Sequence, residues 1–104
     1  MSTTHVVART LAAPGELGLE TRVDFRRAAT ALLEQLPEGT GRLVIDLGGT
    51  RRVDSAGLGA LMLVQRRAAE RRQSVVLRGA NDEVRFLLVL TKLDDLFLLE
   101  DGRG

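Results

Sequence analysis

The stretch "RLVIDLGGTRRVDSAGLGALMLV", Arg42 to Val64, decides how this chain is read. Leu43, Val44 and Ile45 stand in a row within Arg42–Leu47, a short β-rich run of the kind found in strands covered on both faces. "GGTRR" breaks it as a loop, and Val53 leads into Asp54-Ser55. From Ser55 or Ala56 to about Arg72 the apolar period becomes helical, with Leu58, Leu61, Met62, Gln65 and Ala69 on one side. A strand, a tight loop and a helix within thirty or so residues describe half of an α/β unit.

Working outward, the same alternation continues. "HVVARTL", His5 to Leu11, reads as a first strand, broken by Pro14 and Gly15, and "GLE" around Leu19 adds a short second one. A helix begins near Thr21, with Val23, Ala28, Ala31, Leu32 and Leu36 marking its apolar face. Thr21 is placed to cap it, with Asp24 three residues on, where a carboxylate suits the positive helix end. "PEGTG", Pro37 to Gly41, ends that helix. "SVVL", Ser74 to Leu77, is a further buried-type strand. Asn81 can cap a third helix from Asp82 to about Thr91, and a last short strand falls near Leu96 to Leu99. The order β(β)αβαβαβ predicts one α/β domain with a sheet of four or five strands.

Composition narrows the function. With 104 residues the chain is sized for one domain with a real core. Lys and Arg number 15 against 14 Asp and Glu, so there is no general pull toward nucleic acid or an anionic membrane. Arg pairs at 26/27, 51/52, 66/67 and 71/72 read as solvated faces or as a docking patch for an acidic partner. Three Phe and no Trp or Tyr leave no stacking platform for single-stranded nucleic acid. There is no Cys, which removes disulfides, thiolate metal sites and a cysteine nucleophile. One His, at position 5, leaves the usual nucleophile–base pairs unmade. Asp82/Glu83 and Asp94/Asp95 sit at turn and helix-start positions, and no metal-ligand cluster is visible. No apolar run reaches membrane-spanning length and no apolar signal region opens the chain, so a cytoplasmic protein without catalytic activity, metal or cofactor is expected.

Two readings of "VDSAGLG" stand side by side. Ser55 lies between a strand and a helix, the usual place for an N-cap, and Asp54 offers the same capping oxygen. Ser55 is equally placed for regulatory phosphorylation, which adds about −1.5 to −2 charges at a helix end whose free N–H groups and dipole tolerate them. Gly57 and Gly59 are each costly in a first helical turn, by about 1 kcal/mol against Ala. Close packing of that turn, or a bare backbone open to another protein, accounts for them. In "VRFLLVL", Val84 to Leu90, the apolar residues run almost all round: Val84, Leu87, Leu88 and Thr91 on one face, Phe86, Val89, Leu90 and Leu93 on the other. Such a helix is buried on both sides or meets a partner, and a homodimer through residues 84–93 is one form of that.

The block Asp54-Ser55-Ala56-Gly57-Leu58-Gly59 behind the strand Leu43–Leu47 resembles the STAS domain family, and within it the bacterial anti-sigma factor antagonists. "GELGLET", Gly15 to Thr21, is similar to the family's "GELD…T" element, and "LVLTKLDDLF", Leu88 to Phe97, to its "LxxTGLDxLF" segment. The resemblance implies a four- or five-stranded mixed sheet flanked by three to four helices. It covers a single domain over residues 5–100, and the residues at 1–4 and 101–104 read as free ends. It further implies a regulatory binding protein that engages an anti-sigma factor with serine kinase activity, releases a sigma factor, and is restored by a serine phosphatase. It makes Ser55 the phosphoacceptor and places Asp54, Ser55, Ala56, Gly57, Leu58, Gly59, Glu16 and Thr21 at the partner surface. The chain departs from the pattern at Gly18, in place of the "GELD" Asp, at Lys92, where Gly is usual, and at Ala56, often Ser or Thr. A small STAS subunit of a lipid-trafficking ABC transporter, which binds the ATPase, shares the Asp-hydroxyl-x-Gly-Leu helix start. A STAS scaffold in a signalling particle is a third reading, and a sulfate-transporter tail domain a fourth.

Overall fold

The computed structural model describes residues 6–102. His5 and the expected free ends at 1–4 and 103–104 lie outside the described residues; Asp101, within them, is paired with Arg85 at 2.6 Å. The elements run β1 (Val7–Ala12), β2 (Glu16–Leu17), α1 (Arg22–Gln35), β3 (Gly41–Asp46), β4 (Arg52–Val53), α2 (Ser55–Glu70), β5 (Ser74–Arg78), α3 (Asp82–Leu90), a 3-10 turn (Leu93–Leu96) and β6 (Leu98–Glu100). The expected α/β alternation is present, with three α-helices.

The main sheet has the order β1-β3-β5-β6 and every pair in it is parallel. The mixed sheet expected from the resemblance is therefore corrected to a parallel one. The reason is in the connections: α1 joins β1 to β3, α2 joins β3 to β5, and α3 joins β5 to β6. A helical crossover returns the chain in the direction it left, which parallel pairing requires.

Leu43, Ile45, Val75 and Leu77 point to the side where the helices lie. The buried residues of α1, α2 and α3, together with Leu93 and Phe97, all belong to that one core. Val44 and Val76 point the other way and are buried outside it. In register beside them lie Thr10, Arg42, Asp46, Ser74 and Arg78, so this second face carries no helix. Arg42 donates to Ser74 at 3.3 Å and Arg78 to Glu100 at 2.7 Å across it. Leu43, Val44 and Ile45 are all buried, as three consecutive apolar residues imply, but only one face of the strand is covered by helices.

The helix faces are rotated from those expected. In α1 the buried set is Phe25, Ala29 and Leu33, continued by Leu36, while Val23 is exposed. The fourfold spacing 25-29-33 places them on one line, which Val23 and Ala31 do not share. In α2 the buried line is Gly57, Leu58, Ala60, Leu61, Val64 and Ala68, and Met62 is exposed. Thr21 occupies the N-cap position of α1 but its hydroxyl makes no capping bond. At the far end of α1, the buried Gln73 amide donates to the carbonyls of Leu33 (2.9 Å), Leu36 (3.0 Å) and Pro37 (3.3 Å), satisfying orphan acceptors there. Lys92 follows α3 with φ of 61°, a left-handed geometry in which glycine has no steric cost. That geometry explains why the resembled motif carries Gly at this place.

Candidate functional site

The short second strand expected around Leu19 lies instead at Glu16–Leu17, and its partner is β4, a two-residue strand within the segment expected to be a loop. Glu16 pairs with Arg52 and Leu17 with Val53. The Arg51 N–H donates to the Gly15 carbonyl at 2.8 Å and the Asp54 N–H to the Leu17 carbonyl at 3.2 Å. Leu17 and Val53 are buried, which fixes which side of this ribbon faces inward. The effect is to bring residues 16–21 against the start of α2, thirty-odd residues away in sequence.

Asp54 joins the two. Its backbone is extended (φ −97°, ψ −176°), which ends β4 and opens the helix. One carboxylate oxygen accepts from the Gly57 N–H at 2.9 Å, and the other from the Leu19 N–H at 3.2 Å. Asp54, not Ser55, is therefore the N-cap of α2. The correction has a geometric cause: the cap must be extended, and Ser55 is already the first helical residue. The Gly57 N–H, with those of Leu19 and Ala56 and the Arg22 charge, holds the Asp54 carboxyl below its ordinary value against a smaller desolvation effect.

The remaining candidates divide by burial. Ser55 is exposed, and its hydroxyl makes no hydrogen bond with a described group. Ala56 is half-buried. Gly57 is buried, and a Cβ there would run into the Leu17 carbonyl, so its lack of a side chain is what lets β2 approach the helix. Leu58 belongs to the core. Gly57 and Leu58, both expected at a partner surface, are buried. Gly59 is exposed and a Cβ there would meet nothing within 4 Å. The two glycines thus separate into one close-packed position and one open one.

Glu16 is exposed and makes a 3.7 Å ion pair with Arg52. Thr21 is half-buried; its hydroxyl donates to the Glu16 carbonyl at 2.7 Å and accepts from the Gly18 N–H at 3.0 Å. It therefore holds the turn 16–21 closed. An open groove of about 320 Å³ lies between this turn and the helix start, lined by Glu16, Gly18, Leu19, Glu20, Arg52 and Asp54 among others. Gly18, Leu19, Glu20 and Arg52 were not among the expected site residues. Gly18 carried the readable signal, a glycine between two apolar residues in "ELGLE": a Cβ there would collide with the Asp54 carboxylate. An Asp at 18 and the observed Asp54–Leu19 bond are mutually exclusive in this geometry.

The third helix is capped as expected, with the Asn81 side chain accepting from the Val84 N–H at 2.8 Å. The same side chain donates to the Thr50 and Arg51 carbonyls, each at 3.3 Å, and so ties α3 to the segment leading into β4. Val84 and Leu88 are buried, whereas Phe86, Val89 and Leu90 are 67%, 57% and 66% exposed. Of the second expected apolar face, Leu93 is buried, while Phe86, Val89 and Leu90 are left uncovered by the described residues. Among the described residues, no three His, Cys, Asp or Glu converge as a metal site, and no helix is long and apolar enough to cross a membrane.

A family model described as "Mlab, STAS domain" matches residues 2–100. Among solved structures, the chain is similar to a candidate anti-sigma factor antagonist from Thermotoga maritima (22% identity, 93% of this chain and 83% of that one, TM-score 0.78). It is similar to a sulfate transporter family protein from Wolinella succinogenes (14% identity, 98% and 83%, TM-score 0.75). The anti-sigma factor antagonist SpoIIAA in its unphosphorylated form is a further likeness (16% identity, 96% and 82%, TM-score 0.65). At such identities the likeness concerns the fold. No curated protein matches the chain.

Proposed function

The chain belongs to the STAS domain family, and from that membership we propose that it is an anti-sigma factor antagonist whose binding to an anti-sigma factor with serine kinase activity is switched off by phosphorylation of Ser55. Release of a sigma factor follows from that binding, and a serine phosphatase resets the switch. The observation that carries the reading is the position of Ser55. It is the first residue of α2, exposed, and its hydroxyl has no structural task because Asp54 performs the capping.

Physics favours a switch at such a place. A phosphoryl group adds about −1.5 to −2 charges, which the positive end of α2 accommodates without unfolding the domain. A partner seated on the bare helix start would have to desolvate that dianion beside Asp54 and Glu16, an unfavourable exchange for a docked surface. The fold is kept and the complex is lost.

The test uses the purified chain, ATP and the candidate serine-kinase anti-sigma factor. Phosphate is expected on Ser55, mapped by mass spectrometry, and Ser55→Ala is expected to abolish it. Ser55→Asp is expected to weaken binding at least tenfold while shifting stability by less than about 1 kcal/mol. Labelling that persists in Ser55→Ala, or equal binding of Ser55→Asp, refutes the switch.

A second reading is the small STAS subunit of a lipid-trafficking ABC transporter, docked on its ATPase. The matched family model supports it, since its description is an Mlab STAS domain rather than an antagonist. The readings part on one measurement: a stoichiometric complex with a transporter ATPase, with no phosphate entering Ser55 in the presence of serine kinase, selects the second.

A further inference from the structure

A second groove, of about 300 Å³, runs between β4 and α3. Its floor is Val53, Val84 and Leu87, and one rim is formed by Phe86 and Leu90. Arg51 and Arg52 line it from the β4 side, and Glu83 from α3. Phe86 and Leu90 are each about two-thirds exposed, an unusual position for large apolar side chains on one rim. They lie four residues apart on α3, so they form a single ridge along the groove.

Arg52 lines this groove and also the one beside Asp54. The two grooves therefore meet at Arg52 on β4, and Ser55 lies two residues beyond that strand. Arg52 is loosely held. Its ion pair with Glu16 spans 3.7 Å, and both side chains are largely exposed (76% and 63%), so a better partner can take it at little cost. Arg51 makes no ion pair among the described residues.

We infer that this groove receives an amphipathic helix of the protein partner, its apolar stripe laid on Phe86, Leu87 and Leu90 and its carboxylate-bearing flank turned to Arg51 and Arg52. The inference rests on the reading of Ser55 as a partner-controlled switch and specifies the chemistry of that partner. Charge complementarity selects the acidic flank, and continuity with the Ser55 surface selects the partner over a second copy of this chain. It also gives the switch a direct route. A phosphate on Ser55 repels the carboxylates of the docked helix and competes with them for Arg52.

The experiment measures the affinity of the kinase that phosphorylates Ser55 for the wild-type chain and for four variants. Phe86→Ser, Leu90→Ser and Arg52→Glu are each expected to weaken binding about tenfold or more, Arg52→Glu with a reduced dependence on salt. Val89→Ser, on the exposed part of α3 outside the groove, is expected to leave it unchanged. Circular dichroism checks that each variant is folded, and all four positions are exposed. Normal binding by Phe86→Ser and Leu90→Ser while Ser55→Asp still releases the partner overturns the groove and leaves the switch standing. An equal loss in Val89→Ser overturns the groove in favour of a diffuse apolar contact. A wild-type dimer in light scattering that Phe86→Ser turns into a monomer assigns the groove to a second copy and also overturns it. Failure of any kinase to label Ser55 removes the reading beneath the inference, and the inference with it.

Discussion

Two adjacent side chains divide the work at the start of α2. Asp54 caps the helix, and the exposed Ser55 hydroxyl takes no part in the cap. The sequence placed both at the helix start but could not say which capped, because the choice turns on the backbone angles of a single residue and on a bond from Leu19, thirty-five positions away. Asp54 also ties stability to pH. Its carboxyl is held below the ordinary range, so the folded state binds the proton more weakly than the unfolded one. The stabilisation is present above the unfolded value, roughly 4, and is lost as pH falls through the lower, folded value. Asp54→Asn keeps a capping oxygen and removes the charge. Its melting temperature is expected to fall below the wild type at pH 7, with the gap closing as the medium is acidified below about pH 4. A gap that stays constant over a pH series of thermal melts would show that the charge is not what matters.

At the scale of elements, α2 reads differently at its two glycines. Gly57→Ala drives a methyl into the Leu17 carbonyl and is expected to cost about 1–3 kcal/mol, through separation of β2 from the helix. Gly59→Ala meets open space and is expected to gain about 1 kcal/mol from helix propensity alone. Chemical denaturation of both variants checks the opposite signs; two losses or two gains would refute the division. The order of strands and helices was legible because each has a period strong enough to survive without its neighbours. β4 was not, since a two-residue strand exists only through its pairing with Glu16 and Leu17. The buried line of α1 was misplaced for a related reason. Val23, Leu32 and Leu36 form a plausible stripe, and only the sheet beneath shows that Phe25, Ala29 and Leu33 face it.

For the molecule as a whole, the sheet is a parallel layer with helices on one side. Such sheets are ordinarily covered on both. Strand composition hinted at the difference, since Arg42, Asp46, Ser74 and Arg78 alternate with the apolar residues, but consecutive Leu43-Val44-Ile45 hid it. β3 and β5 lie inside the sheet, and β1 and β6 form its edges. Amide exchange is therefore expected to be slowest at Leu43–Asp46 and Val75–Leu77, and faster along β1 and β6. Equal protection of β1 and β3 would contradict that order. The uncovered face has a further effect on how the chain finds its structure. Partners in a parallel sheet point the same way, so a one-residue slip of β5 would carry Ser74, Val76 and Arg78 to the helix side and take Val75 and Leu77 out of the core. Arg78 thus acts as a proofreading mark: a pairing misaligned by one residue has to bury its charge among the helices, and the true one does not.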